Sequence, residues 1–101
     1  MYYTYMVRCA DNSLYTGMTN DLKKRINEHI SKNKNGAKYT KSHSAIKLEI
    51  AWSSKEKSLA CKLEYYIKKL TKQQKENLVN DEKLSSYLVG KVDCRRYRKV
   101  K

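Results

Sequence analysis

One stretch, Tyr15 to His29 (YTGMTNDLKKRINEH), constrains this chain more than any other. It reads as the end of a strand at Tyr15-Thr16-Gly17, a turn at Thr19-Asn20, and then an amphipathic helix. Leu22, Ile26 and Ile30 recur every four residues, which lays one apolar stripe along that helix. At about 100° per residue, Arg25 and His29 fall one turn apart along the edge of the stripe. Asn20 is placed to cap the helix, and Asp21 in the first turn suits the positive end of its dipole. One strand-turn-helix unit therefore holds a tyrosine, an arginine and a histidine close together.

The segment before it, Tyr2 to Cys9 (YYTYMVRC), is rich in aromatic and β-branched residues and reads as a strand, with Tyr3, Tyr5, Val7 and Cys9 on one face. Ala10-Asp11-Asn12-Ser13 carries turn chemistry and joins this strand to the next as a hairpin. The length of that turn matters. A two-residue turn at Asp11-Asn12 pairs Ala10 with Ser13 and sends Tyr5 and Tyr15 to opposite faces, whereas a three-residue connection or a bulge returns them to one face. Asp-Asn by itself suggests the tighter turn.

Further along, residues 33–44 are polar and basic and read as a loop. Ile46, Leu48, Ile50 and Trp52 alternate with other residues, which predicts a third strand with one buried face. Ser54 reads as the cap of a second long helix, Lys55 to Leu70, with Leu59, Leu63, Tyr66, Ile67 and Leu70 as its stripe. A third helix is expected from Thr71 to about Val79, and Leu84, Tyr87, Leu88 and Val89 suggest a short element packing back. Lys91 to Lys101 holds six basic residues and one acid, and reads as a mobile basic tail. The expected plan is one α+β domain over residues 1–90, followed by a tail over 91–101.

At 101 residues the chain is long enough for one modest core, and a net charge of +13 makes a polyanion the expected partner. No apolar run approaches the ~20 residues of a membrane span, and no charged-then-apolar leader precedes the first strand. Cys9, Cys61 and Cys94 are far apart and not in a metal spacing, so they read as reduced thiols of a cytoplasmic protein without structural zinc.

Four features could carry chemistry, and each has an ordinary structural alternative. Tyr3, Tyr5 and Tyr15 suit sheet packing as well as a site. Arg25 could snorkel beside its stripe, with His29 as a satisfied neighbour. Glu64 is a carboxylate at the rim of an apolar stripe in a field of lysines, so it either pairs with Arg25 or a lysine, or holds a cation. In Gly36-Ala37-Lys38-Tyr39-Thr40-Lys41, basic and aromatic residues interleave in a way that suits phosphate contact and stacking, or plain solvation.

Taken in order, these residues resemble the GIY-YIG nuclease family. Tyr3-Thr4-Tyr5 stands where the GIY triplet falls and Tyr15-Thr16-Gly17 where YIG falls. Asp21 to Arg25, followed by His29, resembles the family's arginine helix, and Glu64 within LEYYIKKL resembles its glutamate. The match runs from residue 2 to about 79 and is closest to small stand-alone bacterial members, in which a segment like Gly36 to Thr40 recurs. Tyr3 replaces the glycine of GIY, and Met18 stands where some repair-enzyme members carry lysine.

The resemblance implies a three-stranded antiparallel sheet flanked by helices. It also implies a DNA- or RNA-directed endonuclease that hydrolyses phosphodiesters with one divalent metal, Mg²⁺ or Mn²⁺, held by Glu64. Tyr5, Tyr15, Arg25, His29 and Glu64 are then the expected catalytic residues, with a hairpin tyrosine taking the proton of the attacking water and Arg25 stabilising charge. Lys38, Tyr39, Lys41, Arg95, Arg96 and Arg98 are the expected nucleic-acid contacts, with no small-molecule cofactor. The competing expectation is a non-catalytic DNA- or RNA-binding protein with a vestigial site. The intact set of Tyr5, Tyr15, Arg25 and Glu64 favours the enzyme. The asparagine that the family carries after its glutamate helix has two candidates, Asn77 and Asn80.

Overall fold

In the computed structural model, which describes residues 1–34, 45–81 and 83–101, the strand and helix patterns assemble into one antiparallel sheet with helices on both faces. The elements in chain order are β1 (Tyr2–Cys9), β2 (Leu14–Thr19), α1 (Leu22–Lys34), β3 (Ala45–Ser54), α2 (Lys57–Lys68), α3 (Lys72–Val79), α4 (Ser85–Leu88) and β4 (Arg98–Lys99). The strands lie side by side in the order β2-β1-β3-β4. No described helix is long and apolar enough to cross a membrane.

The hairpin takes the longer connection. Cys9 and Asn12 close it with amide-to-carbonyl bonds of 2.9 Å, from Cys9 to Ser13 and from Asn12 to Cys9. Ala10, Asp11 and Asn12 are thus a three-residue loop, with Asn12 at φ 70°, a conformation asparagine tolerates. Asp11 Oδ1 accepts from the Ser13 amide at 3.0 Å and fixes the turn locally. The resulting register pairs Tyr5 with Gly17 and Val7 with Tyr15. Opposed residues share a face, so Tyr5, Val7 and Tyr15 point the same way.

The helix α1 covers that face through Leu22 and Ile26, which pack on Tyr5, Val7 and Ala51. The opposite face carries the larger core, where Met6, Leu14, Ile50 and Trp52 meet Leu63 and Ile67 of α2, Leu78 of α3, and Leu84 and Leu88 around α4. The strand β3 serves both layers because its register with β1 shifts between Met6 and Val7, skipping Glu49. The bulge is why the expected single buried face fails. Leu48 packs on the α1 side, Ile50 and Trp52 on the other, and Ile46 is exposed.

Both expected helix caps move. Asp21, not Asn20, caps α1 by accepting the Lys24 amide at 3.2 Å. Ser54 is the buried last residue of β3, paired with Tyr2, so α2 begins three residues later behind Glu56. Thr71, the expected first residue of the third helix, is instead the residue that caps α3, in a reciprocal box with Gln74.

The sheet has four strands rather than three. The stretch read as a mobile tail supplies the fourth: Arg98 pairs with Ser53, Lys99 with Trp52, and the Val100 amide donates to Ala51 at 2.9 Å. Val92 and Tyr97 are buried in the main core, and the Tyr97 hydroxyl donates to the Leu59 carbonyl at 2.6 Å. Two apolar anchors thus hold down a segment whose composition is dominated by charge.

One charged cluster ties the layers together. Arg8 of β1 donates to Glu49 Oε2 of β3 at 2.8 Å and, as a fork, to both carboxylate oxygens of Glu76 of α3. Its side chain is only 13% exposed. Hydrogen bonding to Arg8 holds the Glu76 carboxyl down at about 2. Burial pushes Glu49 up, but Arg8 and Lys47 outweigh it and leave that carboxyl below its ordinary value.

Candidate active site

The site is built around the side chain of Tyr5, on the central strand β1. Its phenol lies across Gly17 on the neighbouring edge strand β2. A Cβ at residue 17 would stand 2.5 Å from the Tyr5 hydroxyl oxygen and 2.7 Å from Cζ. Glycine is therefore required here for space, not for backbone freedom. The Tyr5 ring is buried, and its hydroxyl lies 3.0 Å from His29 Nε2 on α1.

His29 sits between two tyrosines. Its ring meets that of Tyr5 edge-on at 5.9 Å and that of Tyr15 at 5.7 Å. Tyr15 differs from Tyr5 in being 44% exposed, so the cluster opens to solvent on its side. Burial pushes the Tyr5 phenol above its ordinary value. The Arg25 guanidinium beside its hydroxyl pulls the other way, while Tyr15 and Glu64 add to the rise. Arg25 is itself raised, chiefly by Tyr5. Its side chain stays 41% exposed and meets Glu28 at 3.9 Å, which leaves its charge available.

Glu64 reaches this group from α2. Its side chain is 23% exposed and its carboxylate takes an ion pair from Lys68, one turn on, at 3.1 Å. Lys68 also places its Nζ 5.9 Å from the centre of the Tyr15 ring. Lys68 was part of the lysine field in the sequence; the signal for its position is the i,i+4 spacing from Glu64. Among the described residues, no three His, Cys, Asp or Glu side chains gather as a metal cage. One carboxylate at a solvent-accessible rim suits a cation that keeps most of its own water, as Mg²⁺ and Mn²⁺ do.

The structure thus brings Tyr5, Tyr15, Arg25, His29 and Glu64 into one neighbourhood, and the three-residue hairpin loop is what puts the two tyrosines on one face of the sheet. The other expected contacts are not part of this group. Arg98 lies on β4, at the far edge of the sheet from β2. Arg95 bonds to Asp93 at 3.1 Å, and Arg96 stands 3.9 Å from Glu56. Lys38, Tyr39 and Lys41 lie outside the described residues. Asn77 donates to the Tyr87 hydroxyl at 2.8 Å and accepts from Gln73 at 2.9 Å, so its side chain joins α3 to α4. Asn80 is the residue that ends α3.

Comparison with known proteins places these residues in context. The family model described as the GIY-YIG catalytic domain matches residues 1–77. The UPF0213 protein of Fusobacterium nucleatum is 45% identical over 100 residues, covering 99% of this chain and 93% of that one. The UPF0213 protein YazA of Bacillus subtilis is 42% identical over 88 residues, 87% of each chain. Among solved structures, the solution NMR structure of a UPF0213 protein from Bacillus halodurans aligns with a TM-score of 0.51 at 40% identity, over 79% of this chain and 84% of that one.

Proposed function

The chain belongs to the GIY-YIG nuclease family, and from that premise we propose that it is a divalent-metal-dependent endonuclease acting on DNA or RNA. The observation that carries the reading is the Tyr5–His29 contact of 3.0 Å, set beside Arg25, Tyr15 and Glu64 in one solvent-open group. A merely structural tyrosine would not need its hydroxyl lodged over a glycine and against a histidine.

In this reading the Tyr5 hydroxyl accepts the proton of the attacking water and passes its own to His29 Nε2. A phenol held above its ordinary pKa stays protonated at neutral pH, so it works as a relay with an acceptor behind it. His29 must then present Nε2 without its proton, and acid that protonates the ring removes the acceptor. Tyr15 also packs on His29, 5.7 Å between ring centres, and helps to hold the ring. Arg25, charged and half-exposed, stabilises the charge that develops on the phosphate, a role usually worth the most in a preorganised site. Glu64 would hold Mg²⁺ or Mn²⁺ and gives up its ion pair to Lys68 to do so. When bound, that cation adds positive charge at the phosphodiester. The net charge of +13 favours a polyanionic substrate, and Arg95, Arg96, Arg98, Lys38, Tyr39 and Lys41 are proposed to add phosphate contacts.

The test is cleavage of a panel of labelled DNA and RNA structures against a Mg²⁺ titration, with Glu64→Ala alongside. The variant is expected to lose metal-dependent cleavage while binding nucleic acid nearly as wild type does. Equal cleavage by the two would place the activity elsewhere. Binding without cleavage by wild type across the panel would leave a nucleic-acid-binding protein with a vestigial site.

A further inference from the structure

Beside the site, the exposed side of α2 carries the ring of Tyr65, which meets the half-buried Tyr66 and is attended by lysines. Tyr65 follows Glu64 in the chain and keeps 54% of its surface exposed. Lys69 Nζ stands 4.6 Å from the centre of its ring. The Tyr65 and Tyr66 rings meet edge-on at 5.1 Å, and Lys91 Nζ lies 5.8 Å from the Tyr66 ring. Lys91 is brought there by the turn after α4, where Gly90 adopts φ 80°. Lys68 closes the series, since it contacts both Glu64 and Tyr15. From Lys57 to Lys69 the only acid is Glu64.

A large exposed ring among cations, continuous with a phosphodiester site, needs a partner that is both anionic and flat. Resting on the nuclease reading, we propose that this surface binds an unpaired strand of the nucleic acid, with a base stacked on Tyr65 and phosphates against Lys68, Lys69 and Lys91. A duplex hides the faces of its bases, whereas an unpaired strand offers them for stacking. Lysines act on phosphates as point charges and lack the planar fork that reads base edges, so the strand is held with little regard to sequence. The substrate class that follows is a single strand, or a structure with an unpaired flank next to the cut.

Binding measured in EDTA separates this proposal from the nuclease reading, because no cleavage is needed. The probes are a fluorescein-labelled oligothymidylate, the same length of abasic backbone, and a blunt duplex. Tyr65→Ala is expected to weaken oligothymidylate binding about tenfold while leaving the abasic strand and the duplex unchanged. Tyr65→Phe, which keeps the ring, is expected to bind as wild type does. Lys69→Ala and Lys91→Ala should each reduce the salt dependence for the single strand by about 0.7 of a logarithmic unit. The proposal is overturned if Tyr65→Ala weakens all three probes alike or none, or if wild type fails to bind oligothymidylate. Strand binding that tracks Tyr65 in a protein unable to cut would sink the nuclease reading alone.

Discussion

Two arginines, one on each side of the same hairpin and its helices, show how this small protein divides its charges. Arg8 is almost out of solvent and spends its donors on Glu49, Glu76 and the Asn12 carbonyl. Nothing is left over for a ligand. Arg25 stands against a buried phenol, is 41% exposed, and among the described residues its ion pair is a loose contact to Glu28 at 3.9 Å. The first arrangement is complete in itself and joins three elements. The second is incomplete, and a phosphate would complete it. Degree of satisfaction, more than residue type, separates the arginine that builds from the arginine proposed to react.

That contrast can be broken most directly by exchanging the two losses. Arg25→Ala is expected to lower cleavage by about 10²–10³-fold, the usual loss of a donor that acts on developing charge, with a thermal midpoint close to wild type. Arg8→Ala leaves Glu49 and Glu76 without their partner and should cost about 3 kcal/mol of stability, while cleavage per folded molecule is retained. Denaturant titration and turnover, measured on both variants, decide it. Matching profiles for the two would abolish the distinction.

A smaller effect is expected at Gly17. An alanine there meets the Tyr5 hydroxyl at 2.5 Å, and the buried ring has little room to yield. Gly17→Ala should therefore cost about 1–3 kcal/mol and also lower cleavage by moving the phenol off His29. Adding Tyr5→Phe removes the oxygen at 2.5 Å and leaves the ring carbon at 2.7 Å. Stability should recover in part in the double variant and cleavage should not; recovery of cleavage would show that the hydroxyl is not part of the chemistry.

The smallest effect sharpens the structural half. Glu76 has a folded-state pKa of about 2 against an ordinary 4.5, so its contribution is complete above about pH 4.5 and is lost as the pH falls through about 2. The loss is on the order of 2 kcal/mol, after allowing for solvent around the pair. Thermal unfolding followed down this range should show a steep decline that Glu76→Gln flattens. An unchanged acid slope in that variant would mean that Arg8 is held chiefly by Glu49.

The sequence carried the site further than it carried the edges of the fold. The spacing of Tyr15, Arg25 and His29 is local, and local spacing translates directly into neighbours on a strand and a helix. The hairpin was legible as a condition: a shared face for Tyr5 and Tyr15 demanded an odd loop, although Asp11-Asn12 favoured an even one. What failed depended on distant partners. Arg8 meets residues 41 and 68 positions away, and no periodicity announces that. The Glu49 bulge turned an alternating pattern into a strand serving two layers. Ser54 looked like a cap because the stretch after it is helical, yet pairing with Tyr2 keeps it in the sheet. In the last eleven residues, six basic side chains outweighed the signal of Val92 and Tyr97, the two that fix the segment.

The three-residue loop also sets which genetic changes this protein can absorb. Its members are exposed, and Asn12 at φ 70° could give way to glycine without strain, so a change of residue there acts locally, on the Asp11–Ser13 bond or the Asn12 backbone. Loss or gain of a single codon there is another matter. It would turn β2 over relative to β1, carrying Tyr15 to the side of α2 and the apolar Leu14 to the side of α1, with every residue of the site still encoded. An in-frame insertion of two codons would restore the parity. For this loop, count rather than content is what inheritance has to preserve.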